Sequence, residues 1–203
     1  MKTGIALLVT VLIWSSAAVV HAGRITPVEG LELLRRSFQG MQDFSAEVTQ
    51  EKQLAIMKKK LIMQGVIRFK KPDRFLMELD PPYSSKVLLK DTVLEQRLGA
   101  KGERQRMVLP PEQALSRWLG TLARPVTAVP EGMEVRADQV GPQTSVTIRP
   151  AKGGHLKELT VVLLDDGTLR RLVLEEQGGD RTVMTFRKTR KNIGLTEADF
   201  RLE

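Results

Sequence analysis

Cysteine is absent from the 203-residue chain, and histidine and aromatic residues are scarce. The lack of cysteine excludes disulfides, thiol nucleophiles, cysteine-based metal sites and lipidation at an N-terminal cysteine. His155 follows two glycines, and nothing near it in sequence resembles a metal pair or a nucleophile–base arrangement. Aromatic residues make up 4% of the chain, which leaves few rings on which nucleic-acid bases would stack. A nucleic-acid partner is therefore not expected.

Sequence patterns of catalysis are missing as well. The chain has no G-x-S-x-G, H-E-x-x-H, P-loop or G-x-G-x-x-G motif. Adjacent carboxylates at 165–166 and 175–176 would point to opposite faces of a strand or stand in solvent at hairpin ends. We therefore expect no enzymatic activity, no bound metal and no cofactor.

The first 22 residues have the pattern of a secretory signal peptide. Lys2 is followed by an apolar run over residues 5–13, which is short for a bilayer span, and small residues precede a cleavage site after Ala22. The alternative is a retained N-terminal membrane anchor. Export predicts the periplasm of a Gram-negative bacterium and one folded domain over residues 23–203. The net charge of +8 then suits an anionic membrane surface or an acidic partner.

One amphipathic helix is predicted at the start of this domain. Thr26 and Glu29 have the spacing of a capping box, and Pro27 occupies the first helical position. Apolar residues then recur at helical spacing, at Val28, Leu31, Leu34, Phe38 and Met41. Gly40 weakens the helix near its end.

Most of the remaining chain alternates between apolar and polar residues, which is typical of half-buried strands. Strands are predicted over 43–51, 61–70, 75–79, 86–91, 92–98, 104–109, 133–137, 145–150, 156–164, 169–176 and 182–188. A second helix is predicted over 110–119, with Gly120 just after its end. This pattern indicates a mainly β protein, a curved antiparallel sheet or barrel whose open side the helices cover.

Four segments occur in a particular order behind the signal peptide. Residues 43–50 read DFSAEVTQ, residues 65–75 read GVIRFKKPDRF, Pro82-Tyr83 follows, and the last strands contain 156–160, 166–169, 182–186 and Asn192. Together they resemble the periplasmic outer-membrane lipoprotein carrier family (LolA-like). The resemblance implies an unclosed antiparallel β-barrel of about 11 strands with an N-terminal helix and a short mid-chain helical lid. It also implies a monomeric carrier that accepts acylated lipoproteins from an inner-membrane ABC exporter and passes them to an outer-membrane receptor.

A carrier of this kind needs a concave apolar lining. The inward sets of the predicted strands supply the candidates, which are Phe44, Ala46, Val48, Met63, Ile67, Phe69, Phe75, Met77, Leu79, Met107, Met184 and Phe186. Flexible methionines suit a cavity that adapts to varied chains. The alternative is that these residues only pack against each other and the helices.

The lid and mouth are predicted at Lys71, Leu115, Trp118 and Leu119. The family often has arginine at the position of Lys71, and the resemblance implies that this arginine bonds to the closed lid. Lysine is a point donor without the planar fork, so a weaker hold is expected. The chain also has Asp91-Thr92 where the family usually reads Asp-Gly, and residues 92–109 are unusually polar.

Two other functions remain open at the level of sequence. The same fold could carry a different lipid, such as a glycolipid or a polyketide precursor. It could also serve as a periplasmic module that senses lipid and signals to a membrane partner. Basic stretches at 58–60 and 187–191 could meet anionic headgroups or an acidic protein, or could simply be solvated turns and strand ends.

Overall fold

The computed structural model describes residues 22–57, 59–99, 102–111, 114–151 and 155–202, with the backbone alone at 22–24, 118, 121 and 122. The predicted signal peptide lies outside these residues except for Ala22. The helices are α1 (Pro27–Phe38), α2 (Leu115–Leu122) and a 3-10 turn (Glu197–Asp199). The strands are β1 (Ala22–Arg24), β2 (Asp43–Gln53), β3 (Leu61–Lys70), β4 (Arg74–Leu79), β5 (Ser85–Lys90), β6 (Val93–Leu98), β7 (Arg104–Val108), β8 (Met133–Val140), β9 (Gln143–Pro150), β10 (Leu156–Leu164), β11 (Leu169–Glu176) and β12 (Arg181–Lys191).

The strands form one antiparallel sheet in the order β1-β8-β9-β10-β11-β12-β2-β3-β4-β5-β6-β7. Strand β12 pairs with β2, which joins the C-terminal hairpins to the N-terminal meander. The two edge strands, β1 and β7, do not pair with each other within the described ranges, so the barrel is unclosed as predicted. Strands β2 to β12 are the predicted ones, and β1 is an additional short strand. No helix in these ranges is long and apolar enough to cross a bilayer.

Helix α1 lies on the inner face of β8 and β9. Its capping box is confirmed, because the Thr26 hydroxyl accepts from the Glu29 N–H while the Glu29 carboxylate accepts from the Thr26 N–H. Gly30 brings the helix close to the sheet, since a Cβ at this position would lie 2.4 Å from the Cβ of Ala137. Leu31 packs with Val135 and Val146 on the same face. The helix therefore fills one end of the concave side.

Helix α2 begins later than predicted, at Leu115 rather than at residue 110, and it continues through Gly120 to Leu122. The prediction of residues 110–119 was wrong at both ends. Its start is fixed by tertiary contacts with the β5–β6 turn, where the main-chain oxygen of Asp91 accepts from the N–H of Leu115. Such a partner is distant in sequence and leaves no local signal.

The C-terminal segment crosses the outer, convex face of the sheet. The carboxylate of Asp43 accepts from the N–H groups of Ile193, Gly194 and Leu195 and turns the chain in that direction. The segment then covers apolar side chains of β4 and β5 in a second buried cluster, made of Leu76, Leu88, Leu195, Phe200 and Leu202. Part of the outer face is therefore core rather than solvated surface.

Candidate functional site

Nine of the predicted lining residues share one face of three neighbouring strands. The register aligns Phe44 with Phe69 and Phe69 with Phe75, and directly paired residues of adjacent strands point to the same side. The next row aligns Ala46, Ile67 and Met77. All nine belong to or pack on one apolar cluster, together with Met184 and Phe186 of β12. The alternation of the sequence thus assigned these side chains to one common face.

The cluster is tightly packed at its centre. Ala46 and Val48 are each 2% exposed, and the rings of Phe44 and Phe69 lie with centroids 5.7 Å apart. Met63, Phe75 and Met77 are less deeply buried and lie around this centre. The flexible methionines of this group are therefore at the periphery of the cluster.

Met107 differs from the other predicted lining residues. Phe75 is paired with Leu89, Leu89 with Leu94, and Leu94 with Met107 on successive strands. Met107 therefore points to the same concave side as Phe75. It is nevertheless 58% exposed and lies outside the packed cluster, because β7 is the last strand of the sheet. Leu89 and Leu94 are half-buried. An apolar strip consequently runs from the covered cluster to the open edge.

Helix α2 closes the cluster from above. Leu119 is buried in the cluster and Leu115 packs on it, joined by Phe38 at the end of α1 and by Met41 in the segment that follows α1. Trp118 is part of the α2 backbone, and its side chain lies outside the described part of the structure. Two leucines are thus the described apolar contacts of this helix with the cluster.

A hydrogen-bonded tether fixes the beginning of α2. The Asp91 Oδ1 accepts from the Ser116 hydroxyl at 2.6 Å and from the Ser116 N–H at 3.0 Å. The hydroxyl bond first, and then the backbone bond, hold the pKa of the Asp91 carboxyl below its usual value. Asp91 itself has a φ of 55°, which Asp tolerates in tight turns. The ionised carboxylate therefore caps the lid helix from a neighbouring hairpin.

Lys71, which was predicted to lie at the mouth, bonds to α1. Its Nζ donates to the main-chain oxygen of Phe38 at 2.9 Å, which is the C-terminal end of that helix. The bond to the lid that the resemblance implied is replaced here by the tether from Asp91. Between the end of α1 and α2 lies a groove of about 370 Å³, whose walls include Arg35, Lys71 and Leu119. The groove thus combines apolar walls with two cations.

The loop after α2 is fastened to α1 by Glu32. The Glu32 carboxylate accepts from Arg35 at 2.7 Å, from Arg36 at 3.0 Å and from the Val126 N–H at 3.2 Å. The bonds from Arg35 and then from Val126 lower the pKa of Glu32 to about 2. Val126 packs against the cluster of Leu31, which anchors the segment that follows the lid.

An unclosed antiparallel barrel with a tethered helix over an apolar concave face defines the class of this protein, a lidded half-barrel. The model of the family described as outer membrane lipoprotein carrier protein LolA matches residues 39–203, and the chain belongs to that family. No curated protein matches the chain.

Solved structures that are similar to the chain share little sequence with it. An uncharacterized conserved protein from Thermus thermophilus is 10% identical, with a TM-score of 0.51 over 85% of this chain and 90% of its own. A LolA superfamily protein from Nitrosomonas europaea is 11% identical, with a TM-score of 0.44 over 87% of this chain and 98% of its own. A putative outer membrane lipoprotein-sorting protein domain from Vibrio parahaemolyticus is 14% identical, with a TM-score of 0.43 over 86% and 97%.

Proposed function

We propose that this protein is a periplasmic chaperone that shields lipoprotein acyl chains on its concave face and carries them from the inner to the outer membrane. The observation that carries the proposal is the apolar cluster around Phe44, Ile67 and Met77, which continues as an apolar strip to the exposed Met107. A hydrocarbon chain could begin on the strip and extend under α2 once the lid moves. The proposed partners are acylated lipoproteins, an inner-membrane ABC exporter and an outer-membrane receptor.

The free energy of burying an acyl chain is large enough to support opening of the lid. A sixteen-carbon chain exposed to water costs about 12 kcal/mol, at roughly 0.8 kcal/mol per methylene. Lifting Leu115 and Leu119 off the cluster exposes two leucine side chains, at roughly 1.5–3 kcal/mol each. Burial of one acyl chain therefore more than offsets the exposure of these two leucines.

A reversible lock on the lid tests the proposal directly. The native chain has no cysteine, so Asp91→Cys with Ser116→Cys introduces the only thiol pair, at two positions whose side chains already meet. We expect the oxidised or bis-thiol-bridged protein to exclude a fluorescent palmitoyl probe, and reduction to restore uptake. The single variant Ser116→Cys under the same oxidant is the matched control. Equal uptake by the locked and reduced forms would reject the concave face as the binding site.

The nature of the cargo needs a separate measurement. The protein is purified from the periplasm without detergent, and the molecules that co-purify are identified by mass spectrometry. Triacylated lipoproteins are the expected result. A free glycolipid or another lipid in their place would support a carrier of different cargo and reject the lipoprotein step of the proposal.

A further inference from the structure

Strand β7 is a free sheet edge with an unusual distribution of charge. Its residues, Arg104–Val108, are all exposed, and within the described ranges no strand lies beyond it. An exposed edge presents unpaired main-chain groups that pair readily with another extended segment. The edge is therefore able to accept a strand, and its side chains determine which one.

Cations lie directly opposite one another on the convex side of this edge. The register places Lys86 of β5 opposite Arg97 of β6, and Arg97 opposite Arg104 of β7. Like charges in directly opposed positions destabilise a sheet. Glu78 forms an ion pair with Lys86 at 2.8 Å and also binds Arg68. These four directly paired positions thus hold one carboxylate and three cations.

The arginines of β7 share a single carboxylate. Arg104 approaches Glu95 at 3.9 Å and Arg106 approaches it at 3.8 Å, both beyond ordinary hydrogen-bond lengths. Arg104 also donates to the main-chain oxygen of Leu202 at 3.5 Å. Both arginines are more than half exposed. Glu103 precedes the strand, and it is the other acidic residue next to these arginines in sequence. The two guanidinium groups thus have capacity for further anionic partners.

We propose that β7 is a docking edge for an extended, acidic segment of a partner protein, which adds to the sheet as an antiparallel or parallel strand. Carboxylates at alternate positions of that segment would face Arg104 and Arg106 on the convex side. The intervening apolar positions would lie beside Gln105 and Met107 of β7 on the concave side, because strand residues alternate between faces. Main-chain pairing supplies affinity and the alternate side chains supply specificity.

A second copy of this chain fits the edge poorly. If two β7 strands paired antiparallel about Arg106, the arginines at 104 and 106 of both copies would lie on one face. Four guanidinium groups would then be crowded together on two adjacent strands, with the two Glu95 carboxylates only on the flanking β6 strands. Self-association through β7 is therefore opposed by charge, whereas an acidic strand is favoured.

Synthetic peptides provide the probe, and no lipid is needed, so the outcome is independent of the proposed carrier function. One nine-residue peptide alternates glutamate with valine, and a second has the same composition with the two residue types in blocks. We expect the alternating peptide to protect backbone amides of β7 from hydrogen exchange and to bind more tightly than the block peptide. Proline at the centre of the alternating peptide should abolish the protection, because it removes a main-chain donor.

Variants separate local recognition from total charge. Arg104→Gln with Arg106→Gln should weaken the alternating peptide about fivefold or more at low salt. Arg136→Gln with Lys188→Gln removes the same charge from exposed positions on other strands and should change binding less than twofold. Circular dichroism checks that both variants keep the fold.

Three results would overturn the docking proposal. The first is equal binding of both peptides without protection of β7 amides, which indicates diffuse charge attraction. The second is capture by anionic vesicles that needs Arg104 and Arg106 while the alternating peptide fails to bind, which assigns the arginines to a membrane surface. The third is concentration-dependent protection of β7 without peptide, which indicates pairing between copies.

Discussion

Asp91 and Ser116 connect two parts of the chain that must separate for the lid to open. The carboxylate lies in the turn between β5 and β6, and it accepts from both the hydroxyl and the N–H of Ser116 in the first turn of α2. A helix of eight residues is marginal without tertiary support. The tether therefore fixes where the helix begins and adds to the leucine contacts that hold it on the apolar cluster.

Removal of this tether should free the lid. Asp91→Gly deletes the acceptor while keeping the positive φ of 55°, which glycine adopts without strain. We expect the amides of α2 to exchange roughly fivefold faster or more, as for loss of a helix cap. Uptake of an acyl probe should also accelerate. Hydrogen exchange read by mass spectrometry measures the first effect, and stopped-flow fluorescence the second.

Ser116→Ala serves as the graded control, because it removes the hydroxyl bond and keeps the backbone bond. An intermediate effect is expected. Unchanged exchange in Asp91→Gly would show that the leucine contacts alone hold the lid.

The tether should also depend on pH. Because the pKa of Asp91 is lowered in the folded protein, the stabilisation that the ionised carboxylate gives to α2 is present above the unfolded value of 3.8. The tether should weaken as the pH falls through the lower folded value.

The concave face can be distinguished from the convex face by matched charge insertions. Met77 lies on the concave side and is half-buried, whereas Val66 on the adjacent strand is on the convex side between Glu47 and Glu78. Met77→Lys should reduce affinity for a palmitoyl probe on the order of a hundredfold or more, because a charge would have to be buried against the chain. Val66→Lys should leave affinity within about twofold, since the new cation has two acidic neighbours and is away from the proposed site.

Equilibrium titration with the probe measures both affinities, and circular dichroism checks the fold. Retained affinity in a folded Met77→Lys variant would mean that the face assignment is inverted. Ile67 is a poorer choice for this test, because at 3% exposure a charge there would unfold the core rather than report on the guest.

The convex cluster should matter for stability and not for lipid binding. Phe200 is 1% exposed between the C-terminal segment and the sheet, so Phe200→Ala should cost about 3–5 kcal/mol in free energy of unfolding. Phe186→Ala, in the concave cluster, should cost a similar amount and also alter affinity for the probe. Urea unfolding and probe titration on the same samples separate the two effects. A lowered affinity per folded molecule in Phe200→Ala would contradict the two-face description.

The local sequence pattern was sufficient to predict the strands and to place the side chains of the candidate site on one common face. Strands β3, β10 and β11 begin and end where the alternation and the turn residues predict. The turn at 165–168 forms through the bond from the Thr168 N–H to the Asp166 carboxylate, a short-range interaction that sequence reveals.

Long-range partners account for what the sequence did not predict. The lid tether joins positions 91 and 116, and the convex cluster joins Leu76 and Leu88 to the end of the chain. The sequence did contain a signal for the convex cluster, because Leu76 and Leu88 place apolar side chains on the otherwise polar face of β4 and β5. Such runs indicate strands buried on both faces. Nothing in the local pattern indicated what covers them.

Acid should loosen the contact between α1 and the segment that follows the lid. The pKa of Glu32 in the folded protein is about 2, below its ordinary value of 4.5, because Arg35 and the Val126 N–H bind its ionised form. The stabilisation that the ionised Glu32 carboxylate gives to the folded state is therefore fully present above pH 4.5 and is lost as the pH falls towards 2. We expect Glu32→Gln to be less stable than the native protein at pH 7, and the difference to shrink between pH 4.5 and 2. Thermal unfolding at a series of pH values measures this convergence, with Glu131→Gln, at an exposed carboxylate in the following loop, as the control. A difference that stays constant down to pH 2 would show that the carboxylate charge does not hold the loop.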